Sequence, residues 1–114
     1  MKRSDVVIVD YPFSDATGRK VRPALVVQAD DKNNRLNDTI IALITSQLRR
    51  SFDTHVVIDI STVEGKQSGL RLQSEVQCEN LYTIDQKLVL KTIRSLSQGI
   101  MQRVDECLKS ALGL

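Results

Sequence analysis

Arg19, Lys20 and Arg22 crowd into the turn GRKVRP, which runs straight into the apolar stretch ALVV. A guanidinium offers five donors and never loses its charge, so an arginine-rich turn suits a phosphate group. Arg22 stands out because Pro23 follows it. A residue before proline is driven into extended backbone, so this side chain rises from a stiff base. The plainer reading is a surface arginine that keeps an edge strand soluble. Thr45 and Ser46 close the apolar run TIIALIT. Hydroxyls where a central strand emerges can meet a ligand oxygen, or simply bond their own backbone. Gln47, Arg49 and Arg50 add donors just beyond. Over 70–79, Leu70, Leu72, Val76 and Cys78 share one parity and Arg71, Gln73, Glu75, Gln77 and Glu79 the other. A period of two puts those five polar residues on one sheet face. Glu79 beside the basic turn would be a carboxylate base next to a phosphate clamp, although a merely solvated face has the same alternation. His55 could act as a general acid or base; its plainer reading is a surface or loop histidine.

These residues must be positioned by a small aliphatic fold. The chain has 114 residues, 41% of them hydrophobic, 26% charged and only 4% aromatic, with no tryptophan. That composition suits one globular domain, 1–114. The net charge of +2 means that a nucleic-acid partner would be met by local rather than global basic charge. No apolar stretch reaches membrane-spanning length, and the N-terminal run lacks the features of a signal peptide. Cys78 and Cys107 form no CxxC pair and are expected to be buried thiols. With one histidine and two separated cysteines, neither a metal site nor a cofactor is expected. Glycine-rich phosphate loops, nucleophile elbows and HExxH are absent from the sequence.

The pattern predicts strands over 6–13, 21–29, 39–45 and 55–60, with a loop at 14–20 and a polar connection at 30–38. The third of these is apolar on both faces and hence central. Pro23 belongs near a strand start or an edge, because it cannot donate to a ladder. Residues 68–85 read as one long extended segment, 86–91 as a turn or short helix, and 92–97 as a last small strand. From Ser97, a capping residue, apolar positions at Ile100, Met101, Val104, Cys107, Leu108, Ala111 and Leu112 mark a helix that stops at Gly113. The fold class is α+β, mostly β: a small, strongly bent barrel with a C-terminal helix.

The order of blocks is informative. VVIVDYPF, then G-x-x-V-R-P with ALVV, then I-T-S-Q, then C-E-N-L-Y-T-I-D resembles the MazF/PemK family of toxin endoribonucleases over essentially the whole chain. The resemblance implies an SH3-like barrel working as a cytoplasmic homodimer. It implies cleavage of single-stranded RNA, such as mRNA, at short preferred sequences without metal or other cofactor. The implied partner is a cognate antitoxin with a disordered segment that blocks the RNA site, with DNA reached only through that antitoxin. Carried onto this chain, the family's key arginine falls on Arg22, its key threonine on Thr45 and its acidic position on Glu79. RNA contacts are expected from Arg19, Lys20, Ser46, Gln47 and Gln77. The implied chemistry is attack of the ribose 2′-oxygen on the adjacent phosphorus. Arg22 would stabilise the phosphorane, Thr45 would hold a phosphate oxygen, and Glu79 would take the 2′-OH proton with Gln77 orienting it. Two features depart from some relatives: the loop SDATGRK carries no histidine, and Gln77 stands where some carry arginine. They keep open a catalytically inactive barrel that binds RNA or a peptide, and an interaction module without RNA.

Overall fold

The computed structural model describes residues 1–11, 20–48 and 53–114. Runs of valine and isoleucine, which pack well on a pleated surface, become strands. In chain order the elements are β1 (Asp5–Tyr11), β2 (Lys20–Val26), α1 (Asp30–Arg35), β3 (Asp38–Thr45), β4 (His55–Ile58), α2 (Val63–Gln67), β5 (Ser74–Asp85), a 3-10 turn (Gln86–Leu88), β6 (Val89–Ser95) and α3 (Gln98–Leu112). The strands form one antiparallel sheet in the order β4-β5-β3-β2-β1-β6, so β3 is central, as its two apolar faces predict.

The sheet buries both faces. On one, Val6, Leu25, Ala42, Ile44, Val56 and Val76 pack against Ile100, Met101 and Val104 of α3. On the other, Val7, Val9, Ala24, Val26 and Ile41 form a second cluster with Ile84. Bulges sharpen the bend. Along β5 the register with β3 jumps from Leu81↔Ala42 to Gln77↔Leu43, which leaves 78–80 as extra residues. Cys78 N–H donates to the Thr54 carbonyl at 2.9 Å there. Among the described residues the sheet stays open, with β4 and β6 as its edges. The helix α3 follows the predicted stripe. The Ser97 hydroxyl accepts from Ile100 N–H at 3.2 Å, and the helix closes at Gly113. Arg3 ties it to the sheet, donating to Asp105 at 2.6 Å and to the Val27 carbonyl at 2.8 Å.

Three expectations are corrected. The polar connection at 30–38 contains a helix, because its amides find partners: Asn33 Oδ1 accepts from Gln28 at 2.9 Å and from Thr39 at 2.7 Å, while Gln86 donates to the Asn33 carbonyl at 2.9 Å. The extended segment begins at Ser74 rather than at 68. Before it stands α2, capped by the Thr62 hydroxyl, which accepts from Gly65 N–H at 3.0 Å. A Cβ on Gly65 would lie 1.8 Å from the Asp59 carbonyl oxygen, so only glycine lets this turn close. The last strand begins at Val89, directly after the 3-10 turn. The expected loop at 14–20 falls almost wholly outside the described residues.

Among the described residues no helix is long and apolar enough to cross a membrane. Cys78 is buried and Cys107 half-buried, both as free thiols. Burial, with the neighbouring Cys107 and Glu79, pushes the Cys78 thiol up to about 12. The thiolate is the reactive form, so Cys78 is inert in the folded state. Iodoacetamide at pH 8 is expected to leave Cys78 unlabelled in native protein and to label it fully in guanidinium; mass spectrometry of the peptides checks this.

Candidate active site

The β2–β3 ladder runs from Val26↔Ile41 to Ala24↔Leu43 and stops. The next residue of β2 is Pro23, which has no N–H to continue it. Beyond that point β2 stays paired with β1 through Arg22↔Val9, and β3 stays paired with β5 through Thr45↔Glu75. Had the register continued, Arg22 would face Thr45 across one ladder step. Instead the strands part there and a cleft of about 210 Å³ opens between them. Sites for drug-sized ligands occupy roughly 300–1,000 Å³, so this one suits a single small group such as a phosphate.

Arg22 of β2, Thr45 and Ser46 at the end of β3, Leu70, Arg71 and Leu72 of the loop 68–73, and Ser74 at the start of β5 line the cleft. Among the described residues its lining holds two guanidiniums and three hydroxyls and no carboxylate. Such a lining attracts an anion. Thr45 Oγ1 also accepts from Gln47 N–H at 3.1 Å, which turns the chain sharply after β3. Its lone pairs thus serve the backbone while its position serves the cleft.

The loop 68–73 is held in place. Ser68 Oγ donates to the Gly65 carbonyl at 2.5 Å and accepts from Leu70 N–H at 3.1 Å. Gly69 has φ +79°, a left-handed turn that favours glycine, and a Cβ there would strike Ile93 at 2.5 Å. Leu70 packs on the main core. Gln73 donates to Asp59 at 2.8 Å and accepts from Ile60 N–H at 2.6 Å. Hydrogen bonds from Ser61 and Gln73 hold the Asp59 carboxyl below its ordinary value.

Glu79 does not line the cleft. Its carboxylate lies 2.7 Å from His55 Nε2, and Glu75 lies 3.0 Å from His55 Nδ1. The surface reading of His55 is therefore corrected: its side chain is 2% exposed and that of Glu75 1%. Gln77, also buried, donates to Glu75 at 3.1 Å and accepts from Asn80 at 3.2 Å. So Gln77 belongs to this buried chain of polar groups rather than to the cleft, and the polar face read over 71–79 is only partly solvated. The cleft and the chain meet at Glu75, which pairs with Thr45 and follows Ser74. Lys20 pairs with Tyr11 at the start of β2, two residues before Arg22, and Gln47 is exposed beside the cleft. Arg19, Arg49 and Arg50 lie outside the described residues. Among the described residues no group of three or more His, Cys, Asp or Glu could hold a metal ion. Two positions escaped selection from the sequence, Arg71 and Glu75. Their shared parity with Glu79 was the available signal, but the strand register that brings Glu75 to Thr45 was not.

The bent antiparallel sheet with one helix laid across it is shared with solved endoribonuclease structures. The fold matches an endoribonuclease solved in complex with its cognate antitoxin from mycobacterial species, with a TM-score of 0.80 at 20% identity, covering 100% of this chain and 96% of that one. It matches the Mycobacterium tuberculosis toxin MazF-mt6 with a TM-score of 0.79 at 24% identity over 96% and 97% of the two chains. The sequence goes further than the fold. The model of the PemK-like, MazF-like toxins of type II toxin–antitoxin systems matches residues 2–112. Endoribonuclease EndoA of Bacillus subtilis (strain 168) is 34% identical over 116 residues, covering 100% of this chain and 96% of the relative. The chain belongs to the PemK-like, MazF-like toxin family.

Burial raises the Glu79 carboxyl, but the hydrogen bond and charge of His55, its own backbone N–H and the Thr54 hydroxyl outweigh that. Together they hold it below the ordinary glutamate value of 4.5. A carboxyl lowered by folding adds stability above its unfolded value and loses it as the pH falls through the folded one. Glu79→Gln is therefore expected to melt below the wild type at pH 7, with the gap closing as the pH falls below 4.5. Melting curves across that range check it; a gap independent of pH would contradict it.

Proposed function

We propose that this chain, an endoribonuclease of its family, cuts single-stranded RNA by attack of a ribose 2′-oxygen on the adjacent phosphorus, without a metal ion. The observation that carries the reading is the placement of Arg22 and Thr45 together in a cleft, opened where the β2–β3 ladder stops, whose described lining has no carboxylate. Arg22 stabilises the crowded phosphorane, where negative charge builds up, and Thr45 with Ser46 holds a phosphate oxygen. Glu79 is the acceptor of the 2′-OH proton that the family resemblance assigns. It stands outside the described cleft lining, on His55, so its role rests on that resemblance and on RNA reaching beyond the cleft, with Gln77 in the polar chain beside it. The pairing with His55 keeps Glu79 ionised through the neutral range, as an acceptor must be. Arg19, Lys20 and Gln47 add contacts to the RNA strand.

The toxin family and the relatives solved with antitoxins support a cognate antitoxin whose disordered segment folds over the cleft and competes with RNA. The protein acts as a homodimer in the cytoplasm, and DNA is met only through the antitoxin.

Incubation of the purified protein with a long single-stranded RNA in EDTA, beside Arg22→Ala, tests the reading. Wild type is expected to yield fragments ending in a cyclic or 3′-phosphate, and Arg22→Ala to be slower by about 10²–10³. RNA retained but uncut by both would point to the inactive, RNA-binding barrel instead.

The pH profile assigns the proton acceptor. A base must be deprotonated to work, so with Glu79 in that role the acidic limb of kcat/KM is expected below pH 4.5. Glu79→Gln then removes about 10²–10⁴ in rate. A limb in the ordinary histidine range, near pH 6.5, would move the role to His55.

A further inference from the structure

The cleft has a second guanidinium that the cleavage chemistry leaves unused. Arg71 stands on the loop 68–73 and lines the same cleft as Arg22 and Thr45. No side-chain hydrogen bond or ion pair among the described residues engages either arginine. Two cations that face one small cleft without a carboxylate between them repel each other until an anion enters. Most charged side chains on a surface this size are free to swing away, but the base of Arg71 is not. Leu70 on one side of it is seated in the core, and Gln73 on the other is bonded to both Asp59 and Ile60. The backbone that carries Arg71 is thus fixed before any ligand arrives, which lowers the ordering cost of binding. Beside it Leu72 is 63% exposed, an apolar surface at the rim of a polar cleft.

We infer that Arg71 is a substrate-positioning residue that holds an RNA phosphate in the cleft it shares with Arg22, with Leu72 offering its apolar surface to the adjoining base. The inference rests on the endoribonuclease reading and deepens it. Arg22 is fixed on β2 by its pairing with β1 and serves the reacting phosphorus. Arg71 lies off the sheet, on the loop, where it grips bound RNA equally in the ground state and the transition state. Interactions of that kind set KM and leave kcat alone.

The test uses Arg71→Ala and Arg71→Lys in two assays. In cleavage of a long single-stranded RNA, Arg71→Ala is expected to raise KM about tenfold, the worth of one charged hydrogen bond, and to keep kcat within about twofold. In binding of a 2′-O-methyl single-stranded RNA pool of mixed sequence, which cannot be cut, its plot of log affinity against log salt should flatten by about 0.7, the loss of one phosphate contact. Arg71→Lys keeps the charge and should restore the slope. Leu72→Ser should weaken binding of the pool at unchanged slope. An Arg71→Ala protein with wild-type KM and slope would overturn the inference while the nuclease reading stands. So would one that loses kcat at constant KM, since that would make Arg71 part of the chemistry. A wild type that neither cuts RNA nor binds the pool would overturn the nuclease reading and this inference with it.

Discussion

Pro23 cannot donate a backbone hydrogen bond, and the geometry of the site follows from that missing proton. An antiparallel ladder that could continue would bring β2 and β3 together to their ends and close the space between Arg22 and Thr45. With the ladder halted at Ala24↔Leu43, each strand keeps its other neighbour: β2 stays on β1 and β3 stays on β5. Both ends are therefore rigid although they no longer touch. The same proline stiffens the backbone of Arg22 by excluding helical conformations for the residue before it. One residue type thus opens the cleft and aims the side chain that serves it.

The second constraint is the burial of His55, Glu75 and Gln77. Charges and amides removed from water must be matched by partners, and these are matched chiefly to one another. They share a sheet face with Thr45, and the residues at 78–80 that bulge from β5 bring Glu79 round to the far nitrogen of His55.

Much of this was legible in the sequence. The helix from Ser97 follows a stripe of apolar residues at spacings of three and four, a signal that depends only on local geometry. TIIALIT announced a central strand because both of its faces are apolar. Arg22 and Thr45 could be selected from residue type and from the ends of their strands. What escaped notice depends on contacts distant in sequence. The stretch at 30–38 carries too many polar residues to look helical, and its helix is supported by Gln28, Thr39 and Gln86. His55 looked like a loop residue because its partners lie twenty or more positions away on another strand. Arg71 and Glu75 shared the polar parity with Glu79, yet only the pairing of β3 with β5 and the packing of the loop 68–73 separate their surroundings.

The contrast between the strand ends and the loop that line the cleft bears on how such a protein diverges over time. Behind Thr45, the buried His55–Glu75 pair can be exchanged only in concert, since losing either partner alone strands the other away from water. By contrast, Arg71 and Leu72 face solvent from a loop whose shape is kept by other residues. Substitutions there leave the fold intact. A lineage can therefore vary the lining of the cleft by single changes in the loop, while the buried pair behind Thr45 is inherited as a block.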